Sequence, residues 1–259
     1  MSSKKISIGP AATEKHFVKR ADKYNHSSSW VDDGQLIERM RSLASVSPEA
    51  VILDIATGTG KIAQAFYGQV QKVVGMDICP SMATQALSFL NHMVLTPAEK
   101  LSFKDEVFDA CLCRQGLQFM ELNCAISEIS RVLKSGGRLV LCHLTAYGQI
   151  DKDEAFVIQG LRNPARKNFF LPEDLPRLLS KYGFQQIEVF EYLSVESVNR
   201  WIDNGALSRQ AQEKIRELYR KSSPGFRKVH DLKFEKEDIL DTMKMLIVKA
   251  VKKGERCPR

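Results

Sequence analysis

The stretch DIATGTGKIA, Asp54 to Ala63, decides the fold. It directly follows Val51-Ile52-Leu53, so a Gly-rich turn sits behind an apolar strand. The strand predicted over 50–56 (AVILDIA) is apolar almost throughout rather than alternating, as in a parallel strand buried on both faces. Gly58 and Gly60 permit positive φ and a close approach of backbone to ligand. The helix that opens at Gly60 leaves free N–H groups at its start. Asp77 ends the next apolar run, KVVGMDI (72–78). A carboxylate about 20 residues beyond such a turn commonly accepts hydrogen bonds from ribose hydroxyls.

Two nucleotide sites are excluded by the same residues. A dinucleotide fingerprint fails because Ala63 stands where the third glycine is needed. A P-loop fails because Ile62 follows Lys61 in place of Ser or Thr. A cofactor with a ribose and no phosphate is the better fit.

Working outward, strands and helices alternate. Helices are predicted over 60–68 and 80–91, the first ended by Gly68 and the second opened by Pro80. Short strands follow at 92–95 and 107–114, then an amphipathic helix over 121–137 stopped by Gly136-Gly137, then a strand over 138–144. This alternation predicts a parallel sheet with helices on both faces. Residues 10–47 read as helices broken at NHSSSW (25–30). Beyond 145 the chain predicts a helical stretch near DEAFVIQGL, a helix at 172–184, a strand at 186–194, a mostly helical 195–223 and a final strand at 241–253. The expected organisation is an N-terminal helical lid (1–48), an α/β core (49–145) and a C-terminal part carrying the rest of the sheet and helical inserts (146–259).

Hydrophobic residues make up 44% and charged residues 27%, the balance of a globular chain. No apolar run reaches the ~20 residues of a membrane span. The N-terminus has no apolar core of a secretory signal, and the expected compartment is cytoplasmic. Six cysteines are scattered without zinc spacing, so no metal is expected, and Cys111 and Cys113 share one strand face as core. The net charge of +7 lies in the tails and in 162–228. No aromatic-interleaved basic ladder accompanies it, so a solvated basic face is expected and no nucleic acid.

The segments VILDIATGTGKIA, VVGMDICPSMATQA, AEKLSFKDEVFDACLCRQGLQF and EISRVLKSGGRLVL stand in this order over roughly residues 15–144. In these the chain resembles the class I S-adenosylmethionine-dependent methyltransferases, in particular the small-molecule, quinone-biosynthesis-like branch. The resemblance implies a Rossmann-like, doubly wound, seven-stranded and mostly parallel α/β sheet, with the last two strands antiparallel to their neighbours. It implies that Asp54 and the turn Ala56–Gly60, with Gly58, hold the methionine end of the cofactor. Asp77 takes the ribose hydroxyls, Ile78 packs on adenine, and Ala98 and Glu99 flank its edge. The backbone around Arg114, and Gln115, meets the amino group, and Tyr24 closes over the site. Two residues depart from the family pattern. Ala56 replaces the first glycine of the turn, and Thr96-Pro97-Ala98 replaces a Gly-Asp-Ala, leaving the adenine edge to Glu99 or to backbone.

Methyl transfer from a sulfonium is an in-line displacement, so positioning is the main task. An acceptor with a bound proton also needs a base, and His143, at the end of the fifth strand, is the candidate. His16, Gln118, Arg162, Arg166, Phe169 and Phe170 are the substrate candidates. Trp201 and Tyr219 are expected in the core, and His26, His92 and His230 at the surface or in loops. The expected activity is O-, C- or S-methylation of a small aromatic or apolar molecule, by a monomer or homodimer. RNA or protein methylation and a non-catalytic cofactor-binding module are the alternatives, and an NAD-dependent dehydrogenase is disfavoured by the glycines.

Overall fold

The computed structural model describes residues 10–254. The lysines at 4 and 5, the N-terminal stretch read as no signal, Cys257 and the charges at 255–259 lie outside the described residues.

Two helices come first, α1 (Pro10–Arg20) and α2 (Gly34–Ala44), joined by two 3₁₀ turns. Asp33 caps α2, its carboxylate accepting from the N–H groups of Gln35 and Leu36. The alternating part runs β1 (Val51–Ile55), α3 (Lys61–Phe66), β2 (Lys72–Asp77), α4 (Pro80–Ala86), β3 (His92–Leu95), β4 (Phe108–Arg114), α5 (Leu122–Val132) and β5 (Leu133–Leu144). Then come α6 (Lys152–Arg162), α7 (Asp174–Lys181), β6 (Phe184–Ser197), α8 (Val198–Ile202), α9 (Arg209–Lys221), α10 (Pro224–Val229), β7 (Lys233–Phe234) and β8 (Ile239–Lys252).

The sheet order is β3-β2-β1-β4-β5-β8-β6. Strands β1 to β5 pair in parallel, and β8 lies antiparallel to both β5 and β6. The two-residue β7 pairs with β8 and adds a strand beyond the seven expected. The mostly parallel α/β class follows from the central strands, which are buried on both faces. Alternate residues feed opposite cores: Ile52, Leu112, Val140 and Ile247 go to one face, Leu53, Cys113, Leu141 and Val248 to the other. Cys111 and Cys113 are both fully buried in the second core.

Three boundaries differ from the sequence-based expectation. Helix α4 stops at Ala86 and tightens into a 3₁₀ turn over Leu87–Phe89. Helix α5 is not stopped by the Gly pair. It ends at Val132 because Leu133 turns extended, with ψ 134°, and pairs with Phe108. The glycines instead lie inside β5, beside the register shift between Phe108 and Ala110. Strand β6 continues to Ser197, taking residues expected to be helical, because each has a partner on β8.

His230, expected at the surface or in a loop, is 5% exposed. Its ring lies between two buried carboxylates, Nδ1 2.7 Å from Asp241 Oδ1 and Nε2 3.0 Å from Asp151 Oδ2. Asp241 also accepts from the Tyr219 hydroxyl at 2.6 Å, and Phe226 stacks on the imidazole. This cluster ties β8 to α9, α10 and the loop before α6. Burial disfavours the imidazolium, but the hydrogen bonds and charges of Asp151 and Asp241 outweigh it and raise its pKa to about 9.

Two outcomes are expected. His230→Ala leaves two buried carboxylates unpaired and costs ~3–5 kcal/mol, read by urea unfolding. The stabilisation from His230 is fully present below its unfolded pKa of about 6.5. It fades as pH rises through about 9, so wild-type stability falls over that window and the variant's curve is flatter. In the turn after β1, Gly60 has φ 82°, and a Cβ there lies 2.8 Å from Ala86 Cβ on α4. Gly60→Ala therefore costs ~1–3 kcal/mol, measured the same way.

Candidate functional site

The strand order reverses between β1 and β4, and a crevice opens there beyond the carboxyl ends of the parallel strands. Two cavities occupy it. The outer one lies against the turn after β1 and Asp77, the inner one among Arg20, Arg162 and Arg166. Phe17, Tyr24, Gln115 and Phe119 line both.

The turn after β1 forms one wall of the outer cavity through Ala56 and Gly58. Ala56 holds φ 53°, a left-handed conformation that a glycine adopts freely and an alanine resists. Its methyl sits where Gly116 passes: a Cβ on Gly116 lies 2.7 Å from Ala56 Cβ. Gln115 is also left-handed, with φ 57°. Backbone strain thus gathers at the two loops that face each other across the crevice.

Asp77 is the wall on the β2 side, 8% exposed. Its Oδ2 accepts from Gly58 N–H at 2.8 Å and its Oδ1 from Cys79 N–H at 2.9 Å. Burial raises its pKa, while those backbone donors oppose the rise. Asp54 lies beneath the turn and does not line the cavity. Its carboxylate accepts from Ala63 N–H at 3.2 Å and so holds the first turn of α3. Burial pushes its pKa up to about 7 against the attraction of Arg114. Gly60 likewise packs against α4 rather than against the cavity.

Ile78, Ala98, Glu99, Arg114 and Gln115 line the outer cavity, together with Tyr24. The guanidinium of Arg114 donates to the carbonyls of Trp30 and Val31 at 2.7 and 3.0 Å, tying the N-terminal segment to β4. The Glu99 carboxylate accepts from Glu121 N–H at 2.8 Å, at the start of α5. Helix α1 forms the roof. Phe17 meets Phe119 edge-on at 5.0 Å and lies near Tyr24. Thr13, Phe17, Met82 and Phe119 were not among the sequence candidates. Thr13, Phe17, Arg20 and Tyr24 follow one another at helical spacing, a stripe that marks a single face and would have found the first three.

The substrate candidates divide. Gln118, Arg162 and Arg166 line the inner cavity, and Arg20 joins them. The others lie elsewhere. His143 is fully buried and lines neither cavity. Its Nδ1 is 3.1 Å from Gln118 Oε1, and burial with the nearby Arg166 lowers its pKa to about 3. His16 faces away from both cavities and contacts Asn163 Oδ1 at 2.6 Å. Burial and Arg20 lower its pKa to about 4. Phe170 packs in the second core against His143, and Phe169 packs on Phe156 and under Arg166. Phe170 fills core because the segment after α6 turns back onto the sheet, where Ala146 N–H donates to the Phe170 carbonyl, while Phe169 stays half-buried.

The arrangement as a whole is a buried carboxylate and a strained small-residue turn at a switch point, roofed by aromatic residues. Residues 53–141 match the family model described as a methyltransferase domain. The chain is 31% identical over 198 residues to a demethylmenaquinone methyltransferase of Bacteroides fragilis, covering 64% of this chain and 80% of the relative. It is 29% identical over 190 residues to an uncharacterised protein of Methanocaldococcus jannaschii, covering 70% and 86%. The solved structure of the YcgJ protein of Bacillus subtilis shares the fold, with a TM-score of 0.78 and 23% identity over 84% of this chain and 97% of that one. The chain belongs to the S-adenosylmethionine-dependent methyltransferases, the family that this domain model and these relatives define.

Proposed function

We propose that the enzyme methylates a small molecule held in the inner cavity, with the methyl donor in the outer one. The observation that carries this reading is Asp77. Its carboxylate is clasped to Gly58 N–H at the wall of a cavity whose apolar lining includes Met76, Ile78, Met82, Pro97, Ala98 and Phe119. A carboxylate suits the ribose hydroxyls, and the apolar walls suit adenine. The Ala56–Gly58 backbone and Gln115 then face the methionine end, and Gln115 has a buried amide N–H without a partner. When bound, S-adenosylmethionine supplies an activated sulfonium methyl.

The residues of this chain do the rest by position. Tyr24, Phe17, Gln115 and Phe119 stand at the boundary of the two cavities and so define where donor and acceptor meet. Holding two reactants in line contributes up to ~7–11 kcal/mol of barrier reduction. Helix α1 over the crevice excludes water, which favours a step in which charge is lost. No histidine of the described residues lines either cavity. The reading that fits is an O-, C- or S-acceptor that arrives already nucleophilic, as a phenolate, enolate or thiolate does. Carriage of RNA or protein acceptors is the rival reading, and an acceptor screen with small phenols and thiols separates the two.

Asp77→Ala is expected to weaken S-adenosylhomocysteine at least 100-fold in titration calorimetry, with folding checked by circular dichroism. Near-normal affinity in folded variant protein would overturn the placement of the ribose.

A further inference from the structure

The inner cavity collects positive charge that no salt bridge among the described residues neutralises. Arg20, Arg162 and Arg166 are 4%, 4% and 7% exposed, and all three line it. Their hydrogen bonds go to neutral groups. Arg20 Nη1 donates to Asn163 Oδ1 at 3.1 Å. Arg162 Nε donates to the Trp201 carbonyl at 3.0 Å and its Nη2 to Ser28 Oγ at 3.4 Å. Arg166 Nε donates to the Asn168 carbonyl at 2.8 Å. Among the described residues none of the three forms a salt bridge.

Glu196 is the buried carboxylate that attracts Arg162, and it is already engaged. It accepts from Ser29 N–H at 2.8 and 2.9 Å and from Ser194 Oγ at 2.9 Å, with Arg200 nearby. The cavity's unfilled hydrogen-bonding atoms are also one-sided. Arg20 Nε, Arg166 Nη2, Gln115 Nε2 and Trp201 Nε1 are buried donors without partners, against a single such acceptor, Gln159 Oε1. Burying an unpaired cation costs several kcal/mol, so a cluster of three is not a device for stability. Burial lowers Arg166 to about 9 and Arg20 to about 10, and the neighbours Arg20 and Arg166 add repulsion to the burial that lowers Arg162. Each change is in the direction that a bound anion would reverse.

We propose that the inner cavity is an oxyanion pocket in which Arg162, Arg166 and Arg20 hold a carboxylate or phosphate group of the methyl acceptor. The rest of the acceptor reaches past Tyr24 and Gln115 toward the outer cavity. The proposal rests on the methyltransferase reading above and narrows its acceptor to an acidic small molecule. The planar guanidinium forks give two-point recognition that an amide or ester cannot satisfy.

The test starts by titrating S-adenosylhomocysteine into the protein. Benzoate, phenyl phosphate and benzamide are then titrated separately into the saturated complex. The expected result is that benzoate or phenyl phosphate binds at least tenfold more tightly than benzamide. Which of the two binds better assigns the group as carboxylate or phosphate. In Arg166→Met that preference is expected to fall at least tenfold, while S-adenosylhomocysteine affinity stays within twofold of wild type. The ligand-free variant is expected to unfold at or above the wild-type temperature, since a buried unpaired charge has gone. Equal binding of the three probes, no binding of any, or an unchanged preference in Arg166→Met overturns the proposal. If S-adenosylhomocysteine itself does not bind, the cofactor placement fails instead. The probes are then titrated into the protein alone, where a tenfold preference for an anion still supports the pocket and its absence still overturns it.

Discussion

The 2.8 Å hydrogen bond from Gly58 N–H to Asp77 Oδ2 is the joint on which the site depends. It fastens the turn after β1 to the end of β2, the two chain segments that face each other where the crevice begins. The bond works because both sides are already fixed. β1 and β2 pair in register from Val51–Lys72 to Ile55–Met76, and Thr57 N–H continues the ladder to the Met76 carbonyl at 3.0 Å. Gly58 can then present its N–H sideways, at φ 57°. A buried carboxylate with backbone donors on both oxygens is oriented before any ligand arrives. Ala56 shows how tightly the turn is determined: an alanine is held left-handed there although glycine would be easier, with its methyl against Gly116.

Buried charge is handled in two opposite ways on the two sides of Trp201. On one side His230 has two carboxylates, each satisfied further by a tyrosine hydroxyl or by backbone N–H groups. That cluster is complete within the chain and holds α9 and α10 to β8. On the other side the hydrogen bonds of Arg20, Arg162 and Arg166 among the described residues go to carbonyls, an amide and a hydroxyl. Complete networks rigidify a fold, whereas incomplete ones mark places where the partner comes from outside. The contrast lies within one molecule, so it does not depend on any general estimate of what burying a charge costs.

Much of the central sheet was legible because its signals are local. The apolar run Val51-Ile52-Leu53, the turn glycines at 58 and 60 and the carboxylate closing the next strand at 77 are each visible within a few residues. The outer cavity follows from the same stretch, since Ala56, Asp77, Ile78, Ala98 and Arg114 all sit at strand ends. What was not legible depends on long-range contact. Phe169 and Phe170 look like a substrate cage in sequence, yet the chain after α6 folds back and buries Phe170 against His143. His230 reads as a loop residue, and the arrival of Asp151, 79 positions away, together with Asp241 makes it an interior cation. The end of α5 depends on Leu133 finding Phe108, which outcompetes the glycine stop four residues later.

The two halves of the crevice constrain the chemistry jointly. Histidines that could remove a proton are turned away: His143 is sealed behind Gln118, and His16 is paired with Asn163. Both have pKa values lowered by burial, to about 3 and about 4, so neither accepts a proton readily near neutral pH. The arginines beside them supply positive potential from side chains that are themselves buried. Such a field favours the ionised form of an acidic group nearby and lowers the pKa of a phenol or thiol held within its reach. On the reading proposed above, an acceptor that arrives as its anion stays ionised there, and no dedicated base is called for. A cation-lined inner cavity and the lack of a histidine at its mouth are, on this view, one design.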